Sequence, residues 1–224
     1  MLRFLQYMEP SELLNPSPPI DNTVNLAKAK AIYRWQRFAR FIMKPVMATF
    51  GRDIIFGFDD YDLLPDKTYV VVSNHQSQLD AFVLLASFSP TVFNRLEPFR
   101  AMTTNRFLAR GPIKYAALKM GCYPAKPHPT LPSGVEYAAA LIQRGQTVYI
   151  CPEGKKSQPG KQTARPGVAI LAKLPNVEII PVHIQWTRSG RWRRSFQLTY
   201  GKPFDGSQMS AQQILDHIYA LPLY

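Results

Sequence analysis

His75 and Asp80 are separated by four residues in the run Ser73-Asn74-His75-Gln76-Ser77-Gln78-Leu79-Asp80. An imidazole held by a carboxylate is a general base. The carboxylate fixes the tautomer and steadies the imidazolium, while the other ring nitrogen takes a proton from a hydroxyl. On continuous helix this spacing would set the two side chains about 140° apart, so the pairing needs a turn. The flanking residues supply one. Thr68-Tyr69-Val70-Val71-Val72 is β-branched and too short for a comfortable helix, and reads as a buried strand. Ser77, then Asp80 ahead of Ala81-Phe82-Val83-Leu84-Leu85, has the form of a helix start, with Asp80 at its positive end. By itself His-x4-Asp fits a capping histidine as well as it fits a base.

A second strand-to-turn unit lies downstream. Thr147-Val148-Tyr149-Ile150-Cys151 reads as an apolar strand, and Pro152-Glu153-Gly154-Lys155-Lys156-Ser157 as its turn, with a glycine and two lysines able to meet an anion. Asn74-His75-x4-Asp80, Pro152-Glu153-Gly154-x-Lys156-Ser157 and the strand Ile179-Ile180-Pro181-Val182 occur in the order and spacing of the glycerolipid acyltransferases. Over roughly residues 50 to 205 the chain resembles the 1-acylglycerol-3-phosphate acyltransferase family.

That resemblance implies transfer of a fatty acyl group from a thioester, carried by acyl carrier protein or coenzyme A, to the free hydroxyl of a lysophospholipid. The first candidate acceptor is 1-acylglycerol-3-phosphate, which would become phosphatidate. His75 would deprotonate the hydroxyl, Asp80 would orient His75, and no further cofactor is implied. Asn74, Glu153, Gly154, Lys156 and Ser157 match positions of the family's substrate-binding signatures. Lys155-Lys156 departs from the family's usual Thr-Arg, and a lysine lacks the two-pronged fit of arginine to phosphate. Arg106, ahead of Gly111-Pro112, and Lys126, beside a Pro127 where arginine is usual, are further candidate phosphate contacts. Another lysolipid or hydroxylated lipid stays open as acceptor.

These residues must be positioned by alternating short strands and helices. Strands are predicted at Phe99–Thr103, Val177–Trp186 and Arg193–Tyr200, with a turn at Ser189-Gly190. Helices are predicted over 81–88, 106–120, 134–144 and 167–174, with Ser133 as a cap and Gly145 as a stop. The expected fold is α/β, a single-domain sandwich with a largely parallel central sheet. An N-terminal amphipathic helical segment precedes it. Residues 1–50 form an arm and membrane-interface helix, and 51–224 the acyltransferase domain.

Of 224 residues, 46% are apolar, enough for one core, and 27 basic against 15 acidic residues give a net charge of +12. Such a balance points to an anionic surface, membrane or nucleic acid. Cys122 and Cys151 form no metal or redox motif and read as reduced thiols, and no metal site is expected. No stretch approaches the ~20 apolar residues that cross a bilayer.

Residues 1–22 read as an irregular arm, and helical periodicity begins at Asn25. Ala31, Ile32, Trp35, Phe38, Ala39, Ile42 and Met43 fall on one side. Lys30, Arg34, Arg37, Arg40 and Lys44 gather on the other, and Pro45 should kink or end the helix. Basic and aromatic residues so arranged suit an interfacial anchor on the cytoplasmic face of a membrane, as well as a helix packed on the domain. Trp186, Arg188, Arg191, Trp192, Arg193 and Arg194 at the hairpin tip suit a headgroup layer or RNA equally. Membrane lipids, with acyl carrier protein as a further candidate, are the expected partners, and nucleic acid is not. A catalytically silent membrane-binding protein and a nucleic-acid-binding module are the competing classes. A serine hydrolase is disfavoured, as no Gly-x-Ser-x-Gly turn occurs.

Overall fold

The computed structural model describes residues 26–48, 51–56, 63–104, 111–125, 133–157, 162–189 and 193–223. Helix α1 (Leu26–Ala48) is followed by β1 (Gly51–Phe56), β2 (Thr68–Ser73), α2 (Asp80–Ser87), α3 (Pro90–Leu96), β3 (Phe99–Thr103) and α4 (Gly111–Lys119). Then come β4 (Tyr123–Pro124), α5 (Gly134–Ile142), β5 (Thr147–Ile150), α6 (Gly167–Ala172), β6 (Val177–Ser189), β7 (Arg193–Tyr200) and α7 (Ala211–Tyr219). The seven strands form one sheet in the order β1-β7-β6-β2-β5-β3-β4. Every pairing is parallel except the β6–β7 hairpin.

Alternation along β2 shows how the sheet is buried. Tyr69 and Val71 join one apolar cluster with Val83, Leu84 and Leu85 of α2 and Val92, Phe93 and Leu96 of α3. Val70 and Val72 point the other way, among Ala138 and Leu141 of α5, Val168 and Leu171 of α6, and Ile214 and Ile218 of α7. A strand covered on both faces reads as an unbroken apolar run. Each fully buried Val or Leu contributes about 1.5–3 kcal/mol, and the outcome is a helix–sheet–helix sandwich, as expected.

Three local features differ from the sequence reading. The helix expected to close before Pro90 is followed at once by α3, because Ser89 accepts a hydrogen bond from Val92 N–H and Pro90 occupies the first helical position. Pro45, expected to kink or end α1, does not end it, and the helix runs on to Ala48. Arg40, expected on the solvent face of α1, is buried. Its guanidinium donates to Phe88 O at 2.6 Å and lies 4.2 Å from the centre of the Phe93 ring. The face of α1 turned to the domain is therefore Ile32, Gln36 and Arg40. Gln36 donates to Phe99 O at 2.5 Å and Met120 O at 2.8 Å, and accepts from Phe99 N–H at 3.2 Å. With that face committed, Trp35, Phe38, Phe41 and Ile42 stay 41%, 54%, 78% and 46% exposed.

The cap predicted at Ser133 is present and reciprocated by Glu136. Gly145 takes a φ of 70° where α5 ends, a conformation that costs glycine little. Strand β1 and helix α7 had no counterpart in the sequence reading.

Candidate active site

The site is built where β2 stops and its neighbour β6 continues. Ser73 pairs with Val182, so the next residues of β6 need other partners. Asn74 provides them with its side chain. Its amide donates to Ile184 O and accepts from Ile184 N–H, both at 2.8 Å, and Gln76 Oε1 accepts from Trp186 N–H at 3.0 Å. Two side-chain amides thus extend the ladder while the backbone turns away with His75 between them. Asn74 is fully buried with both amide atoms bonded to Ile184, and here it shapes the turn.

His75 Nδ1 donates to Asp80 Oδ2 at 2.9 Å, and the two side chains are 27% and 2% exposed. The same carboxylate oxygen accepts from Gln76 N–H and Ser77 N–H, each at 2.9 Å, and Oδ1 accepts from Trp186 Nε1 at 2.9 Å. Asp80, rather than Ser77, therefore organises the start of α2, whose cap residue Leu79 makes no side-chain cap. The Asp80 hydrogen bond, then contact with Cys151, outweighs burial and pushes the His75 pKa up to about 10. Cys151 Sγ also lies 3.1 Å from Tyr149 Oη.

The turn after β5 divides between two directions. Glu153, 3% exposed, accepts from His75 N–H at 2.9 Å, from Ser157 Oγ at 2.5 Å and from Tyr219 Oη at 2.9 Å. Ser157 Oγ accepts in turn from His75 N–H at 3.0 Å, and Ser157 N–H donates to His75 O at 2.5 Å. Glu153 and Ser157 grip the backbone of the base from behind. Both side chains thus hold the turn that carries His75, Glu153 from a buried position. Gly154, Lys155 and Lys156 face outward. Gly154 has a φ of 61°, and a side chain there would strike Arg165, whose Cδ and Nε lie across it. Neither lysine pairs with a described residue. Lys155, Lys156 and Arg165 thus make an exposed cationic turn that runs into Ser157 on the His75 backbone, which suits an anion.

Arg106, Lys126 and Trp192 lie outside the described residues. Arg34, Trp35, Arg37, Phe38 and Lys44 are all exposed on α1 as expected. Trp186 is not at a surface tip: half-buried against Phe196 at a ring distance of 5.3 Å, it spends its indole N–H on Asp80. The sequence reading gave Trp186 a different role and did not single out Arg165 or Tyr219. Among the described residues no cluster of side chains could hold a metal ion.

A histidine–aspartate pair at the carboxyl edge of a mostly parallel sheet, with a cationic turn on the adjacent strand, is the arrangement of an acyl-transfer site that activates a hydroxyl. The comparisons agree. The sequence model of the family described as Acyltransferase matches residues 57–185, more than half of the chain, and the protein belongs to that family. Among solved structures it is similar to the 1-acyl-sn-glycerophosphate (LPA) acyltransferase PlsC from Thermotoga maritima. The TM-score is 0.56 and the identity 18%, over 85% of this chain and 75% of that one, a likeness of fold. No curated protein matches significantly.

Proposed function

We propose that the protein transfers a fatty acyl group from an acyl thioester, of acyl carrier protein or coenzyme A, to the free hydroxyl of 1-acylglycerol-3-phosphate. The product is phosphatidate. The observation that carries this reading is the juxtaposition of the Asp80-held His75 with the outward-facing Gly154–Lys156 turn. One supplies a base, the other a seat for a phosphate monoester. Arg165, lying across Gly154, supplies the forked guanidinium that Lys156 lacks.

In this mechanism Nε2 of the neutral His75 ring, the nitrogen turned away from Asp80, takes the hydroxyl proton as the oxygen attacks the thioester carbonyl. The imidazolium, balanced by Asp80, then gives that proton to the departing thiolate as the C–S bond breaks. An ester and a free thiol result, and no acyl-enzyme is needed. The His75 turn can serve this step without rearrangement, because the Asn74, Glu153 and Ser157 hydrogen bonds already fix its backbone.

The acceptor is a membrane lipid, and α1 with α4 gives the protein a face for reaching it. Trp35, Phe38, Phe41 and Ile42 of α1 and Tyr115 and Leu118 of α4 are large exposed apolar residues. Lys119 lies 4.2 Å from the Trp35 ring centre and 4.7 Å from that of Tyr115, and Arg34, Arg37 and Lys44 stand among them. Apolar side chains mixed with cations favour an anionic interface. Among the described residues no helix is long and apolar enough to cross a membrane.

The test is transfer from a labelled acyl thioester to lysophosphatidate in vesicles, by the unaltered protein and by His75→Ala. Transfer that disappears in the variant establishes reaction and base together. Other lysolipids in the same assay decide the acceptor, and preference for one without phosphate sinks the assignment of the Lys156 turn. Replacing Phe38 and Phe41 by Ser should weaken co-sedimentation with anionic vesicles at least about tenfold with the unfolding midpoint unchanged. Unaltered co-sedimentation rejects the docking face.

A further inference from the structure

We infer that Trp186 is a positioning residue of the acyl-transfer site, setting through Asp80 the pH at which His75 becomes a free base. The inference rests on the assignment of His75 as that base. Its geometry is specific. Asp80 turns Oδ2 toward His75 Nδ1, Gln76 N–H and Ser77 N–H, and Oδ1 toward the indole N–H of Trp186 at 2.9 Å. Among the described residues no other donor is hydrogen-bonded to Oδ1. Trp186 is itself fixed twice, by its backbone N–H on Gln76 Oε1 at 3.0 Å and by its ring against Phe196. The indole thus arrives from β6, 106 positions along the chain from the carboxylate it meets.

Several groups face this pair. Cys151 and Tyr149 approach from β5 and the turn after it, and Tyr149 feels the Asp80 charge. The Glu153 carboxylate sits on the His75 backbone N–H, with Ser157 and Tyr219 around it. The Asp80 side chain is 2% exposed, so water does not replace a lost donor at full strength. An N–H on Oδ1 draws negative charge away from Oδ2. Without it, charge concentrates on the oxygen facing His75, the imidazolium is held more tightly, and less neutral imidazole is present at a given pH. The sign is unambiguous: loss of the indole N–H raises the titration midpoint of His75.

The experiment uses the full chain with histidine labelled with nitrogen-15. The His75 resonance is identified by its loss in His75→Ala and followed against pH in the unaltered protein and in Trp186→Phe. In parallel, kcat/KM for transfer from an acyl thioester to lysophosphatidate in vesicles is measured across the same range. Both the His75 midpoint and the acid limb of the rate profile should move to higher pH, and kcat/KM at neutral pH should fall roughly tenfold, the worth of one buried hydrogen bond to a charged group. A slower variant whose His75 midpoint stays in place or moves down overturns the inference and leaves Trp186 a packing residue. Should Trp186→Phe fail to fold, replacement of Trp186 by benzothienylalanine keeps the ring shape and removes only the donor. If neither protein transfers acyl groups, the acceptor assignment falls, while the titration still decides what Trp186 does.

Discussion

The turns after β2 and β5 stand side by side on paired strands and are put together in opposite ways. After β2 the polar side chains flanking the base point inward, where Asn74 bonds the Ile184 backbone and Asp80 takes four donors, while the His75 ring keeps a face toward solvent. After β5 the same short stretch points both ways, with Glu153 and Ser157 gripping His75 and Gly154, Lys155 and Lys156 facing out. A base needs one orientation and one protonation equilibrium, so its surroundings are saturated. The proposed seat for a lipid headgroup would have to admit and release a ligand, and its cations are left open. Neighbouring residues of one motif can therefore belong to different jobs.

The largest test of this division is His75→Ala, which should lower kcat/KM by roughly a thousandfold without changing vesicle binding. Asp80→Asn should follow with a smaller loss, and steady-state kinetics checks both. If Lys156→Ala matched either of them in kcat, the two turns would be one unit and the comparison would fail.

In the unaltered protein the pH response should come from His75 in the β2 turn. The Asp80 hydrogen bond holds His75 protonated up to about 10, and the neutral ring is the active form. The rate should therefore climb about tenfold per pH unit over roughly pH 6 to 9. A profile that is flat there, or falls, removes His75 as the base.

Glu153→Gln turns an acceptor of three donors into a partial donor. It should cost about 2 kcal/mol in unfolding free energy and lower kcat, with KM for the acceptor little changed. A rise in KM alone would return Glu153 to the substrate side. Lys156→Ala should show the smallest effect in the reverse pattern: KM for lysophosphatidate up roughly fivefold, kcat and thermal midpoint steady. Arginine at the same position should restore or better the affinity.

What was legible in the sequence follows the range over which each interaction acts. His75 and Asp80 are close in the chain, and the strand and helix around them are apolar and short, so local pattern was enough. The sheet's parallel character followed from alternating strand and helix, and the Ser133 cap from its position before an apolar run. Trp186 gave no sign of its partner, because a tryptophan among arginines at a hairpin reads as surface until β6 is seen to overrun β2. Gln36 and Arg40 look solvent-facing by type. Partners set by distant folding draw them inward, the carbonyls of Phe99, Met120 and Phe88 and the Phe93 ring. Helix α7 was different, since Ser210 and Gln213 form a capping box in plain sequence and the signal went unread. β1, with Arg52 and Asp53 at its start, lacks the alternation that marks a strand, and its parallel pairing with β7 is what makes it one.

Gln36 joins α1 to β3 and to the end of α4 through buried hydrogen bonds, and Arg40 adds a third attachment at the end of α2. The helix is a bracket rather than a leash. Under the proposed seating of its outer face in lipid, the height and tilt of the catalytic edge above the bilayer would become constants of the fold. Finding a substrate is then a two-dimensional problem, solved by lateral drift of enzyme and lipid and not by reaching. A flexible insertion placed between α1 and β1 would leave that geometry intact, whereas loosening Gln36 would let the site lose its altitude.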